Sequence, residues 1–279
     1  MASFLLLFFL IGLLPLAVGL VLTRKMWRGF QGFPLIAWVL QCALAFNLTF
    51  FWQELWLVIP KAFVPGLHPV LFHNNHEWTG TSPIAELLQG TGAIATLASG
   101  LTFALLLGYG RLASPSFRLF SFWMAFEGLY QSLTQLAVGT ILPGNDVGRA
   151  LTYLGIGAAA DWTLLVICVA AMGLVGRSLA SLLPDTADHR TPALPLLAVA
   201  LLSIIVTVPF RLPRNLIEVV LIPLVVNFIG TGWLVIGLAL TRPNISYAAS
   251  SRPRIAGAAC ALLVVLLFFQ IVLRPGLHF

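Results

Sequence analysis

Eight mostly apolar stretches, separated by short polar breaks, account for most of the chain. A transmembrane helix needs roughly 20 apolar residues, and each stretch is close to that length. The stretches cover residues 3–22, 33–58, 84–108, 119–141, 151–175, 192–210, 215–240 and 255–273. None shows the ten-residue alternating strands of a membrane barrel. The pattern therefore predicts an all-α, polytopic transmembrane bundle of about eight spans, with residues 1–279 as a single integral membrane domain.

The composition supports a membrane environment and argues against nucleic acid as a partner. Of the 279 residues, 59% are hydrophobic and 9% are charged, whereas soluble domains carry about 25% charged residues. The net charge is +6, but the basic residues are scattered between apolar runs and form no basic face. Cys42, Cys168 and Cys260 all lie inside apolar runs, which is typical of buried structural thiols. Lipid is the expected partner, together with other membrane subunits.

Basic residues in the loops predict the orientation. The first, third, fifth and seventh loops carry ten: Arg24, Lys25, Arg28, Arg111, Arg118, Arg177, Arg190, Arg242, Arg252 and Arg254. The opposite side carries five: Lys61, Arg149, Arg211, Arg214 and Arg274. The positive-inside rule then places both termini and the 59–83 loop outside the cytoplasm. Residues 1–22 are expected to remain as the first span, because basic residues follow this apolar run instead of preceding it.

A histidine cluster in the 59–83 loop is the main candidate for a chemical site. His68, His73 and His76 fall within nine residues, and Glu77 follows them. On a helix, His73, His76 and Glu77 would share one face and would suit zinc or iron with an open position for water. The Asn74-Asn75 pair favours a turn instead, in which the histidines would bond to backbone and water. Both interpretations stay open.

Five of the nine acidic residues lie in or beside the predicted spans: Glu54, Glu86, Glu127, Asp161 and Glu218. A carboxylate in hydrocarbon is costly and usually marks a paired or functional position. Three accounts are consistent with the sequence. The acids are protonated and hydrogen-bonded across helices, they face loop arginines at the membrane surface, or they bind metal or protons.

Two segments carry a resemblance to a known family. The first ends the second span as Phe51-Trp-Gln-Glu54-Leu-Trp-Leu57, and the second reads Leu142-Pro-Gly-Asn-Asp146-Val-Gly148. Together they resemble the layout of site-2-type intramembrane metalloproteases, which carry HExxH on one span and NxxPxPxxDG on a later one. The resemblance implies that Glu54 matches the general base and Asp146 the third zinc ligand.

This resemblance is incomplete at the zinc-binding positions. Gln53 and Leu57 stand where the family has its two zinc histidines. It therefore implies a degenerate protease-like core that has lost peptidase activity, unless His73 and His76 replace the missing ligands.

Three functional hypotheses follow from the sequence. The first is a non-catalytic accessory or scaffold subunit, or a protein that binds lipid or a partner helix. The second is a membrane-embedded, metal-dependent hydrolase with His73, His76, Glu77 and Asp146 as metal ligands and Glu54 as general base. The third is a transporter, suggested by the intramembrane carboxylates but unsupported by any inverted repeat.

Overall fold

A computed structural model describes residues 2–24, 30, 32–109, 114–183, 193–211, 216–241 and 254–279. The described helices are α1 Ala2–Phe8, α2 Leu14–Thr23, α3 Leu35–Ala62, α4 Ile84–Leu88, α5 Thr91–Gly108, α6 Pro115–Gly139, α7 Asp146–Tyr153, α8 Ala158–Leu182, α9 Ala193–Arg211, α10 Ile222–Leu240 and α11 Ile255–Phe268. Short π-helical segments, Phe9–Leu13, Ile217–Leu221 and Phe269–Leu273, adjoin α1, α10 and α11. The strands are β1 His68–Leu71, β2 His76–Thr79 and β3 Leu277–His278.

Within the described part of the chain, seven helical segments are long and apolar enough to cross a membrane. They are Leu5–Thr23, Leu35–Ala62, Ile84–Gly108, Ala158–Leu182, Ala193–Arg211, Val219–Leu240 and Ile255–Leu273. The 25-residue helix α6 is also long enough, but its polar residues lower its hydropathy. The prediction of an all-α membrane bundle with about eight spans is confirmed.

Helix α6 lies at the centre of the bundle, which explains why it tolerates polar side chains. It packs against α3, α5, α8 and α10, and every residue from 121 to 132 is buried. An aromatic core surrounds its first half, where Trp123 contacts Trp38, Phe122 and Phe126 edge to face at 5.2–6.0 Å between ring centroids. Little of α6 faces lipid, so it does not need a hydrophobic outer surface.

Helices α5 and α6 cross in close contact through two glycines. A Cβ added to Gly128 would lie 2.7 Å from the Thr96 carbonyl oxygen and 2.8 Å from Gly100 Cα. A Cβ on Gly100 would lie 2.6 Å from the Leu129 nitrogen. Small residues permit such close backbone contact in membrane helices. These small residues let α5 pack tightly against the central helix α6, while the opposite face of α5 is exposed.

The fifth predicted span, residues 151–175, is wrong in its boundaries, because the helix spans Ala158–Leu182. Residues 146–153 form the separate short helix α7. The chain then reverses at Gly155, whose φ of 67° favours glycine. Small residues 155–160 are therefore exposed or half-buried at the start of α8, so they mark no central helix contact.

A small antiparallel sheet forms in the 59–83 loop, with strand order β2-β1-β3. Leu71 pairs with His76 and Val70 with Glu77. The Phe72 N–H donates to the Asn75 carbonyl, closing the turn at 2.9 Å. The proposed helical face of His73, His76 and Glu77 is therefore wrong, and the turn at Asn74-Asn75 is confirmed. Because β3 pairs with β1, residues 277–278 lie on the same side of the bundle as this hairpin.

Candidate functional site

Three elements bring four polar side chains together beneath the β-hairpin. Glu54 and Lys61 come from the last turns of α3, His76 from the first residue of β2, and Gln89 from the end of α4. All four side chains are at least nine-tenths buried. We call this group the hairpin cluster. A buried set of ionisable residues at a membrane protein's surface layer is a strong indication of a functional site.

His76 lies between two oxygen atoms. Its Nδ1 is 2.8 Å from Glu54 Oε2, and its Nε2 is 3.0 Å from Gln89 Oε1. The imidazole also stacks on Trp78 at 5.8 Å between ring centroids with an interplanar angle of 9°. Residues two apart on a strand share a face, so Trp78 covers the same side of the cluster that His76 enters.

The position of Lys61 is consistent with the oxygen of the Gln89 amide, and not its nitrogen, facing His76. The ammonium group can only donate hydrogen bonds, and its Nζ lies 3.4 Å from the same Gln89 Oε1. That atom is therefore an acceptor, so His76 Nε2 must carry a hydrogen. The hydrogen bond between His76 Nδ1 and Glu54 then needs one further proton, held by either partner. With that proton, the Glu54–His76 couple has no net charge, whether the proton lies on the carboxylate or on the imidazole.

Lys61 is a fully buried cation held by backbone and aromatic groups. It donates to the Leu57 carbonyl at 2.6 Å, and its Nζ lies 4.9 Å from the centroid of the Trp78 ring. Glu54 and Asp146 are close enough to interact with it electrostatically. The buried positive charge is thus balanced by carboxylates from α3 and α7.

Amide side chains extend the cluster into the bundle. Gln53 donates to Glu54 Oε1 at 3.4 Å, and Gln53 Oε1 accepts from Gln135 Nε2 at 2.8 Å and also from Gln131 Nε2. Gln131 and Gln135 lie one turn apart on α6. Gln53 stands at one of the family's zinc positions, where it now links α3 to α6 through hydrogen bonds.

Asp146 begins α7 on the far side of the cluster. Burial raises the pKa of its carboxyl group, while nearby His76 acts in the opposite direction. The neighbouring Arg149 forms a bidentate ion pair with Glu86 at 2.5 and 2.7 Å, and this hydrogen bonding raises the pKa of Arg149. Arg149 Cζ also lies 5.0 Å from the Trp78 ring centroid. Of the three explanations for the acidic residues in the spans, Glu86 therefore fits the one in which the acid pairs with a loop arginine.

The sequence-predicted site residues are only partly brought together. Glu54, His76 and Asp146 belong to one electrostatic cluster. His73 is buried instead against Phe269, with ring centroids 6.0 Å apart. Glu77 is exposed because it alternates with His76 along β2. Among the described residues, no group of three His, Cys, Asp or Glu side chains is placed to hold a metal ion. Zinc or iron binding here stays a prediction.

Sequence reasoning missed Lys61, Gln89 and Trp78 as site residues. Lys61 had a recognisable signal, since it is the single basic residue in its helix. Gln89 and Trp78 had none, because neither is ionisable and each reaches the cluster only through the packing of α4 and β2 on α3.

The other intramembrane acids have separate environments. Glu127 is completely buried on α6, with Oε1 3.7 Å from the Cys42 thiol, which also lies 3.4 Å from Ser203 Oγ. Asp161 is half-buried in the first turn of α8. The side chain of Glu218 lies outside the described part of the chain. Among these acids whose side chains the structure describes, Glu127 is the one that combines full burial with a position in the middle of the bundle.

An apolar groove of about 500 Å³ runs along the outer surface between α3 and α5. Trp52, Trp56, Ala98 and Phe103 are among its lining residues. A hydroxyl in the groove, Thr91 Oγ1, already donates to the Trp56 carbonyl at 2.6 Å. Trp52 and Glu54 point to nearly opposite sides of α3, because successive helical residues are 100° apart. The groove is thus separate from the hairpin cluster.

The helical bundle, its apolar spans and its buried ionisable cluster define a polytopic integral membrane protein. No protein-family model, curated protein or solved structure matches the chain. The likeness to site-2-type proteases therefore rests on the short motifs alone and stays a prediction.

Proposed function

We propose that this membrane protein contains a metal-independent acid–base centre in which Glu54 and His76 hold one exchangeable proton. The observation that carries the proposal is the placement of His76 between Glu54 Oε2 and Gln89 Oε1. An imidazole oriented by a carboxylate is the arrangement that enzymes and proton carriers use for proton transfer. The couple gives its proton to a polar acceptor entering beneath the hairpin, and later takes one back.

The surrounding residues suit this role better than metal-assisted hydrolysis. Glu54 already bonds to His76 and Gln53, so its oxygens are committed to orienting these side chains. Lys61 adds a buried positive charge beside the cluster, which would oppose the binding of a divalent cation. The same charge stabilises negative charge that develops when the couple releases its proton.

Infrared difference spectroscopy across a pH titration tests the proposal. Because two groups that share a proton titrate as a pair, one carboxyl band and one imidazole band should change together with a single midpoint. Glu54→Gln should remove the coupled carboxyl band and His76→Gln the coupled imidazole band, and in each variant the remaining partner should lose the shared midpoint. Glu86→Gln is the matched control, since it removes a carboxylate that pairs with Arg149 and should leave the coupled bands intact. Independent midpoints in the wild type, or a coupled carboxyl band that survives in Glu54→Gln, would contradict the proposal.

A second candidate is the non-catalytic role, with a lipid chain bound in the groove between α3 and α5. The groove favours this candidate because its volume of about 500 Å³ lies in the usual range for ligand sites and its lining is almost wholly apolar. Hydroxyls such as those of Thr91 and Thr102 bond to backbone carbonyls, so an acyl chain needs to satisfy no polar group there.

Native mass spectrometry of the detergent-purified protein tests the lipid site. Ala98→Phe fills the groove and should remove most of the bound lipid. Leu105→Phe adds bulk to an exposed position of the same helix outside the groove and should retain it. Equal lipid occupancy in the two variants would exclude this site, and a co-purifying membrane protein lost only in Ala98→Phe would identify a partner helix as the occupant.

A further inference from the structure

Helix α6 carries a buried row of polar atoms that the bundle leaves without protein partners. Glu127 Oε2, Gln131 Oε1, Thr134 Oγ1 and Gln135 Oε1 have no hydrogen-bond partner among the described residues. Glu127, Gln131 and Thr134 are 0%, 1% and 4% exposed. Buried polar atoms of native proteins almost always bond to protein or to internal water, so four in one row require an explanation.

The row follows one face of the helix. Residues 127, 131 and 134 are spaced by four and three positions, which aligns their side chains along α6. Glu127 and Thr134 are seven residues apart, a rise of about 10 Å. Contacts with Cys42 and Gln53 show that this face is turned towards α3. The row therefore runs between α3 and α6, from the middle of the bundle to the hairpin cluster.

Thr134 differs from Thr96 and Thr207, two other buried helical threonines, in how its hydroxyl is satisfied. Thr96 donates to the Ala93 carbonyl at 3.0 Å, and Thr207 donates to the Ile204 carbonyl at 3.0 Å. Such bonds to the preceding turn are the usual way for a threonine to satisfy its hydroxyl inside a helix. Among the described residues, Thr134 makes no such bond, and its buried hydroxyl oxygen has no other partner.

We propose that this face of α6 holds a file of water molecules that carries protons between the hairpin cluster and Glu127. A buried water typically makes about three hydrogen bonds to polar groups. Consecutive members of the row are neighbours on the helix surface, roughly 5–6 Å apart at Cβ, a separation that a single bridging water can span. The inference rests on the proposed function, because the Glu54–His76 couple is the proton source.

Proton transfer along the file leaves every intermediate group unchanged. An O–H bond breaks at Glu54 or an N–H bond at His76, and an O–H bond forms at the Glu127 carboxylate. Each water between them accepts one proton and donates another. The Gln131 and Gln135 amides only hold the waters in position, while Cys42 and Ser203 border the far end at Glu127. Lys61 and Asp146 are the charged groups beside the source.

Deuterium exchange followed by infrared spectroscopy tests the water file in the full chain. The carboxyl band of Glu127, identified by its loss in Glu127→Gln, is monitored after transfer to acidic D₂O. Fast exchange is expected in the wild type. Thr134→Val should slow it about tenfold, since the file loses one hydrogen-bonding group. Thr134→Ser restores the hydroxyl and should restore the rate.

The matched control is Thr96→Val, which removes a buried hydroxyl that bonds within its own helix. The water file would be refuted if the Glu127 carboxyl of the wild type exchanged only as fast as the whole protein unfolds. Equal exchange rates in Thr134→Val and Thr96→Val would also refute it. The coupled Glu54 and His76 bands would remain in that case, so the proposed function would stand. Absence of those bands in the wild type, together with fast exchange at Glu127, would instead refute the proposed function and leave only a water file without this proton source.

Discussion

At the scale of single residues, the site is organised by charges that are buried close to opposite charges. Lys61 is 0% exposed, yet it lies near two carboxylates, a π face and a backbone carbonyl. Removing one member of such a group leaves the others buried without compensation, which costs more than the interaction itself contributes. The residues of the hairpin cluster are therefore expected to depend on one another for stability as well as for chemistry.

Lys61→Met tests this dependence, because it keeps the length of the side chain and removes only the charge. We expect the free energy of unfolding to fall by about 2 kcal/mol, as for the loss of a buried charge-assisted hydrogen bond. The exposed Arg274 bonds only to Gln270 among the described residues, at 3.3 Å, so Arg274→Met is the control and should change stability little. Denaturant titration in detergent measures both, and equal losses would show that Lys61 is not coupled to the cluster.

Asp146 should give stability a pH dependence of defined sign. Its folded-state pKa is raised by burial, so the folded protein binds this proton more tightly than the unfolded chain does. The stabilisation is complete below the ordinary pKa of the group and is lost as the pH rises through the folded pKa. Asp146→Asn should therefore remove a decline in melting temperature that begins near about pH 4. An unchanged pH profile would show that Asp146 is not desolvated.

At the scale of elements, the α5–α6 crossing sets how close the polar face of α6 comes to its neighbours. Gly100 and Gly128 contact each other's helices through backbone atoms. The hydrophobic effect does not drive helices together inside a membrane, because lipid chains are as apolar as the helix surfaces. Close van der Waals packing holds such a crossing together instead. Packing of small residues therefore fixes α6 in the centre, and the polar residues of α6 follow it there.

Gly100→Ala should separate these helices and lower the free energy of unfolding by about 1–3 kcal/mol, as overpacking does. Gly108 lies on the same helix, but a Cβ there would meet nothing within 4 Å. Gly108→Ala should therefore be neutral, or stabilising by up to about 1 kcal/mol through helix propensity. Comparing both variants by denaturant titration isolates the crossing, and similar effects of the two would rule out a close contact at Gly100.

At the scale of the whole molecule, the hairpin cluster and the C-terminal strand lie at one end of the bundle. The excess of basic residues in the opposite loops predicts that this end faces away from the cytoplasm. A proton entering the hairpin cluster would then come from outside and move along α6 towards the membrane centre. The orientation of the chain thus decides the direction of the proposed proton transfer.

Cysteine labelling in intact cells tests this orientation. Phe63 is 84% exposed beside the hairpin, and Tyr109 is 76% exposed at the other end of α5. In a Cys260→Ala background, a membrane-impermeant thiol reagent should label Phe63→Cys directly and Tyr109→Cys only after permeabilisation. The reverse pattern would invert the topology and place the hairpin cluster in the cytoplasm.

The membrane class, the helical architecture and most span boundaries could be predicted from the pattern of apolar residues along the chain. Long apolar runs leave a helix as the natural way to satisfy backbone hydrogen bonds in lipid, so these features are local. The prediction failed at residues 151–175, because hydropathy does not register a chain reversal at Gly155. The sequence also singled out Glu54, His76 and Asp146, since ionisable residues are rare enough in this chain to be conspicuous.

Which of these residues contact one another depends on the three-dimensional packing. Strand pairing turned Glu77 away from His76, and the packing of the hairpin on α11 buried His73 against Phe269. Lys61, Gln89 and the polar face of α6 joined the site through contacts between elements distant in the chain. Contacts of this kind depend on helix crossings and side-chain volumes, which a one-dimensional pattern of polar and apolar residues does not contain.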